Sequence, residues 1–311
     1  MKTFEFAVIG GSYSGMAAAL QLARARRKVL VVDAGQRRNR FVDAAGGSSH
    51  GYLTQDGSTP AEIAADAREQ LMNYPNVEWI HGTASDARSA DPGHLEFRVG
   101  KDVIQASRLI IATGVRDDLP SIPGLAERWG RSAFHCPYCH GYEAGAGPIG
   151  IIAASPLAYH QAMMLPDWGK STLFLNGAYT PRLDELAAIT RRGNKVETVF
   201  IERIEGLADV VLKDGRTLKM KALFTQPQTV MSSVIAEQLG CALEEGPMGR
   251  FIKVDENKAT SVPNVFACGD AARMAGNITL AVSDGAIAGY GAHRSSVFGS
   301  RISAITSTSA N

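Results

Sequence analysis

The stretch that most constrains this chain is its first thirty-odd residues. Phe4-Glu5-Phe6-Ala7-Val8-Ile9 is an apolar run of strand length, and Gly10-Gly11-Ser12-Tyr13-Ser14-Gly15 is a tight turn. Residues 16–26 are rich in small residues with helical character, and Lys28-Val29-Leu30-Val31-Val32-Asp33 is a second apolar strand. Two such strands joined through a helix pair in parallel and are buried on both faces. The chain is thereby committed to an α/β fold. The pattern is that of a dinucleotide-binding unit, with a pyrophosphate expected at the helix N-terminus and Asp33 on a ribose hydroxyl. Ser12 replaces the middle glycine of that fingerprint.

The same pattern recurs further on. Pro148-Ile149-Gly150-Ile151-Ile152-Ala153 opens a second unit, its turn is Ala153-Ala154-Ser155-Pro156-Leu157-Ala158, and its second strand, residues 171–175, ends at Asn176. Ala153 precedes Asn176 by the same interval as Gly10 precedes Asp33, so the chain carries an eroded copy of its own fingerprint. Leu119-Pro120-Ser121-Ile122-Pro123-Gly124 reads as a linker between the two. The last third returns to the first style, with an apolar strand delivering Asp270 beside Gly269 and a Gly/Ala-rich helix over 279–293. The Ser/Thr-rich tail after Gly299 is expected to fray and is given no function.

With 311 residues there is material for two domains. A net charge of +1 and the lack of an isolated Lys/Arg block give no reason to invoke nucleic acid. No secretory signal and no bilayer-length apolar run are visible, so a cytoplasmic location and no membrane partner are expected.

Four cysteines are present, two of them in His135-Cys136-Pro137-Tyr138-Cys139-His140. A Cys-x-x-Cys can be a redox dithiol, half of a zinc site or, with a following His, a haem attachment point. Structural zinc needs two further ligands and there is no second Cys-x-x-Cys; haem attachment normally needs an exported chain. The redox dithiol is therefore favoured, and no metal is expected. His140 beside the pair is read as a base that raises the thiolate fraction, with Glu143 as its orienting carboxylate; the plainer reading makes both structural. Cys241 and Cys268 are read as buried small hydrophobes. The polar stretch 36–57 supplies Arg38 and Asn39 as adenosine contacts and His50 as a loop imidazole, and it ends in a capping box, Thr59-Pro60-Ala61-Glu62. Tyr13, inside the glycine turn, can stack or pack.

Together these landmarks resemble the low-molecular-weight thioredoxin reductase family of flavoproteins over nearly the whole chain. Thr113-Gly114 and Val265-Phe266-Ala267-Cys268-Gly269-Asp270 are similar to its second and third flavin motifs. The resemblance implies two Rossmann-like, doubly wound domains, the second inserted into the first. Residues 1–117 and 248–311 would bind FAD, and 118–247 would form the NAD(P)-binding-like domain carrying the cysteines. It also implies that Gly10, Gly15 and Asp33 hold the ADP portion of FAD; Ser12, Tyr13 and Ser14 of the same turn are further candidate cofactor contacts. Asp270 would meet the ribityl chain, and a helix starting near Thr279 would point at the flavin. Apart from the resemblance, His50 is a lone loop histidine, more often a surface residue, with reach to the flavin as its functional reading. A homodimer is the family expectation.

Three departures matter. His140-Gly141-Tyr142-Glu143 follows the cysteines where the reductases have Asp-Gly. The second fingerprint has Ala153 and Ser155 for its first two glycines, with Pro156 where a backbone N–H would meet a phosphate. Asn176-Gly177-Ala178-Tyr179-Thr180 replaces the basic cluster that holds a 2′-phosphate, leaving Arg182, which counts against NADPH. These departures are similar to the dithiol oxidase branch, which closes disulfides in products of the gliotoxin, holomycin and romidepsin type. Gly10-Gly11-Ser12-Tyr13, Ser49-His50-Gly51 and Cys139-His140-Gly141-Tyr142-Glu143 have the look of that branch. The expected activity is oxidation of a small-molecule dithiol by FAD and molecular oxygen. By family pattern Cys136 is the exposed sulfur and Cys139 the one nearer the flavin. The alternative is an NADPH-dependent reductase of thioredoxin or another disulfide substrate; a redox sensor docking a partner protein is the reading from a different class.

Overall fold

The structure is a computed structural model describing residues 1–90, 93–145 and 147–299; the Ser/Thr-rich tail lies outside the described residues. It divides into two compact units. Among the described residues, one comprises Met1–Arg38, Glu62–Arg116 and the chain from Val230 to Gly299; the other comprises Asn39–Ala61 and Asp117–Thr229.

In the first unit, strand β1 (Lys2–Ile9) leads through helix α1 (Tyr13–Arg24) to β2 (Val29–Asp33), parallel to it with Val8 opposite Val31. On its other flank β1 pairs in parallel with β6 (Asp102–Ile111), and β2 pairs with β3 (Val77–His81). A strand from the last third, Val265–Ala267, adds in parallel to β6. An antiparallel ribbon, β4 (Ala84–Ser89) and β5 (Leu95–Val99), runs into β6. The run Phe6-Ala7-Val8 shows no alternation because it is fully buried, as a parallel strand covered on both faces must be. The helix over Ile278–Phe298 is Gly/Ala-rich because it lies backbone to backbone against α1. A Cβ at Gly285 would run into the Ser14 carbonyl, and one at Gly289 would stand 2.7 Å from the Ala18 carbonyl oxygen.

The second unit repeats the plan. Its parallel sheet runs in the spatial order Lys195–Glu197, Ser171–Phe174, Ile149–Ile152, Ala222–Phe224, Ala133–Phe134, and the first sheet orders its equivalents in the same way. The echoed fingerprint is thus a repeated fold. A three-stranded antiparallel sheet (Ile201–Glu205, Asp209–Leu212, Thr217–Leu218) covers part of it.

The units do not meet the chain where the linkers suggest. Residues 230–247, read as part of the inserted domain, belong to the first unit, where Ile235, Ala236, Leu239 and Cys241 are buried in its core with Leu109 and Ile252. The helix carrying the first two, Ile235–Gln238, is one turn long and too short to leave a periodic signature. Conversely, the polar stretch 39–61 joins the second unit. Its short helix Arg40–Ala44 lies against Gly130, where a Cβ would stand 2.8 Å from the Phe41 backbone.

Candidate active site

The cysteines sit at the start of the helix Pro137–Ala144, directly after the strand Ala133–Phe134. Pro137 suits the first helical position because its missing N–H has no partner there. Cys136 is the N-cap with extended backbone, and Cys139 is one helical turn on; they are disulfide-bonded with Cα atoms 5.4 Å apart. The helix is seated on Trp168. A Cβ at Gly141 would come 2.7 Å from that ring, and Tyr138 meets it edge-on with centroids 5.4 Å apart.

Three histidines gather around this helix, and they are not equivalent. His140 lies flat on Phe134, centroids 4.1 Å apart and planes 7° from parallel. Its Nε2 is buried without a hydrogen-bond partner among the described residues. Burial, and secondarily the charges of His135 and His50, push its pKa down to about 4, so it is neutral near pH 7. His135 lies near Trp129, and its carbonyl accepts a hydrogen bond from Nε2 of the fully buried Gln161 at 3.1 Å. Glu143, read as the carboxylate that orients His140, pairs instead with His50: Oε1 lies 3.3 Å from His50 Nε2, and Asp56 Oδ1 lies 3.8 Å from His50 Nδ1. His140 faces inward onto Phe134, whereas Glu143, three positions on, reaches the loop that carries His50. His50 is therefore placed beside the cysteine helix within the second unit.

The first unit carries the cradle for a nucleotide. Gly10 has a left-handed φ of +116°, and a Cβ there would strike the Ala112 carbonyl; a Cβ at Gly11 would stand 2.5 Å from both Asp33 and the Trp79 ring. Ser12 at the N-cap of α1 makes no side-chain cap, and no acidic side chain occupies the first turn. An uncapped, glycine-lined helix start with Asp33 at the end of the adjoining strand suits an anionic pyrophosphate and its ribose. Ser14 and Tyr13 are buried in the first turn of α1, and Gly269 rests against the Ser14 hydroxyl. Thr113 Oγ1, beside Gly114 at the end of β6, is buried with no hydrogen-bond partner among the described residues. Asp270 accepts a hydrogen bond from Arg38 Nη1 at 2.8 Å, and a Cβ at Gly276, near the start of the Ile278–Phe298 helix that carries Thr279, would strike its carboxylate. Asn39 is the N-cap residue of the Arg40–Ala44 helix in the second unit. This arrangement of the glycine turn and Asp33 is one that the ADP portion of FAD fits.

The corresponding turn of the second unit is differently occupied. Ser155 Oγ accepts from the Leu157 N–H at 3.2 Å, and Pro156 has no N–H. Asn176, at the position matching Asp33, has φ +45° and its Oδ1 accepts from the Ile201 N–H at 3.0 Å. Arg182 is held by Asp184 at 3.0 Å and Glu185 at 2.7 Å.

Gln161, Phe134 and Asp56 were not singled out from sequence. Only Phe134, directly before the His-Cys string, had any local signal. Among the described residues no group of three or more His, Cys, Asp or Glu side chains is placed to hold a metal ion, and no helix is long and apolar enough to cross a membrane.

A glycine cradle at the head of one parallel sheet, with a helix-borne cysteine pair beside another, defines the class of two-unit flavin-linked disulfide oxidoreductases. The chain belongs to the pyridine nucleotide-disulphide oxidoreductase family, which it matches over residues 4–285, and is an FAD-dependent, thioredoxin reductase-like enzyme. Among its relatives are thioredoxin reductase tcpT of Claviceps purpurea, 32% identical with 91% of each chain covered, and thioredoxin reductase sirT of Leptosphaeria maculans, 31% identical with 93% of each covered. Among solved structures, an oxidoreductase from Agrobacterium tumefaciens is 53% identical with a TM-score of 0.92, covering 96% of this chain and all of its own. HlmI is 31% identical with a TM-score of 0.87, covering 98% of this chain and 96% of its own.

Proposed function

We propose that this enzyme oxidises a small-molecule dithiol to its disulfide, with molecular oxygen as the final electron acceptor. The observation that carries the reading is the second dinucleotide turn. A pyridine nucleotide would need helix N–H groups for its phosphates, an acceptor for its ribose and a free cation for a 2′-phosphate. Pro156 removes a donor and Ser155 occupies another; Asn176 is spent on Ile201, and Arg182 on two carboxylates. The residues present do not fit that group, and the electrons are better supplied by a thiol substrate.

Cys136 and Cys139 act as the exchanging pair. A substrate thiolate attacks the Cys136 sulfur, the Cys136–Cys139 bond breaks, and the substrate's second thiol then displaces Cys136 to release a cyclic disulfide. FAD, when bound, supplies two-electron storage and its discharge to oxygen. The cradle of Gly10, Ser12, Tyr13, Ser14, Gly15 and Asp33, with Thr113, Gly114, Gly269, Asp270, Arg38 and Thr279, would fix its position. The sum is dithiol plus O2 giving disulfide plus hydrogen peroxide.

The NADPH-dependent reductase is the second reading, because both tcpT and sirT are named thioredoxin reductases. Oxygen consumption separates the two. With dithiothreitol as substrate, the oxidase consumes one O2 and yields one peroxide per dithiol whether or not NADPH is added. Consumption that begins only on adding NADPH would replace it with the reductase.

A further inference from the structure

His50 sits in a loop that is closed at its neck. The Ser49 N–H donates to the Ser58 carbonyl at 2.8 Å, the Gly57 N–H donates to the Ser49 carbonyl at 2.9 Å, and the Gly51 N–H donates to Asp56 Oδ1 at 2.7 Å. An imidazole so anchored is presented, not left to wander. Its partner Glu143 lies four positions after Cys139 on the helix Pro137–Ala144, and residues four apart share a helix face. Helical side chains lean toward the preceding turn, which on the Glu143 face is the turn of Cys139. His140 is stacked on Phe134.

We propose that His50, held by Glu143, takes up the proton released when the site opens and is the counter-ion of the Cys139 thiolate. Glu143 is a positioning residue. The charged and titratable groups facing His50 are Asp56 from its own loop and Glu143 and His140 from the helix. His140 is uncharged near neutral pH, so it is a poor source of the cation that a thiolate needs.

The step balances. A substrate thiol gives its proton to His50, its sulfur bonds to Cys136, and Cys139 leaves as a thiolate facing the His50 imidazolium. The second substrate thiol attacks the substrate sulfur of that mixed disulfide, and Cys136 leaves carrying the second proton. The substrate has lost two electrons and two protons. The cysteine pair holds the electrons; Cys136 and His50 hold the protons.

The proposal rests on the cysteine pair as the reacting dithiol, a feature common to the oxidase and reductase readings. Its test does not depend on which of them holds. In the reduced full-length protein carrying Cys136→Ser, alkylation of Cys139 by iodoacetamide is followed from pH 5 to 9 and assigned by peptide mass, which separates it from the buried Cys241 and Cys268. Cys139 should show a thiolate inflection well below the ~8.5 of a free cysteine. His50→Gln should raise that inflection by about one pH unit and lower the rate near pH 6 roughly tenfold. Glu143→Gln, at a more exposed position, should shift it part of the way, and His140→Gln should leave it in place. An inflection unmoved by His50→Gln and Glu143→Gln, or moved by His140→Gln in their stead, would overturn the assignment. Oxygen consumption that failed to appear would sink the oxidase reading and leave this profile untouched.

Discussion

At the scale of single residues, the site is governed by how differently it treats three imidazoles. His140 is stacked on Phe134 and held neutral, with its pKa at about 4 against 6.5 for the ordinary side chain. Between those values the unfolded chain binds the proton that the folded chain refuses, so this residue destabilises the fold as acidity rises. Its contribution is whole above pH 6.5 and is lost as pH falls toward 4. At pH 5 the loss amounts to about 2 kcal/mol, from about 1.4 kcal/mol for each pH unit below the unfolded value. Denaturant unfolding at pH 7 and pH 5 should therefore show a smaller pH penalty in His140→Gln than in the parent, and an equal penalty in both would contradict a neutral buried His140. The neighbouring string of cysteines and histidines was plain in the sequence. The pairing of Glu143 with His50 was not, because it joins a loop and a helix far apart in the chain, and no local spacing encodes such a contact.

At the scale of elements, two copies of one strand-turn-helix-strand unit have diverged in the use of equivalent positions. Asp33 ends a strand beside a glycine turn that a nucleotide can approach; Asn176 ends the matching strand with its side chain turned onto the Ile201 N–H. Asn176 also tolerates its left-handed φ of +45° better than an alanine would. Asn176→Ala should lower stability by about 2 kcal/mol, roughly half from the lost hydrogen bond and half from the backbone conformation. The readout is the urea midpoint at an unchanged m-value. A midpoint that did not move would show that the side chain is not committed to the fold and would reopen the ribose position. The glycine turn and the echoed spacing were legible as sequence, since each reflects local backbone chemistry. The antiparallel ribbon β4–β5, the three-stranded sheet of the second unit and the one-turn helix Ile235–Gln238 were not, because short strands and single turns carry too few residues to establish a period.

At the scale of the whole molecule, the plan of two α/β units was readable because a buried parallel sheet demands continuous apolar strands, and both copies supply them. The assignment of segments to units was less so. Residues 39–61 look like a loop of the first unit and join the second, bringing His50 to the cysteine helix; residues 230–247 do the reverse, burying Ile235 and Leu239 in the first core. Such choices are made by tertiary packing between distant segments, where polar loops and short helices give no directional signal. On the proposed function, electrons enter this enzyme from a dithiol and not from a pyridine nucleotide. The direct measurement is an anaerobic titration of the purified yellow protein, following its flavin absorbance in two arms. Dithiothreitol should bleach the flavin, admission of air should restore it, and NADPH should leave it unchanged. Rapid bleaching by NADPH would contradict the claim.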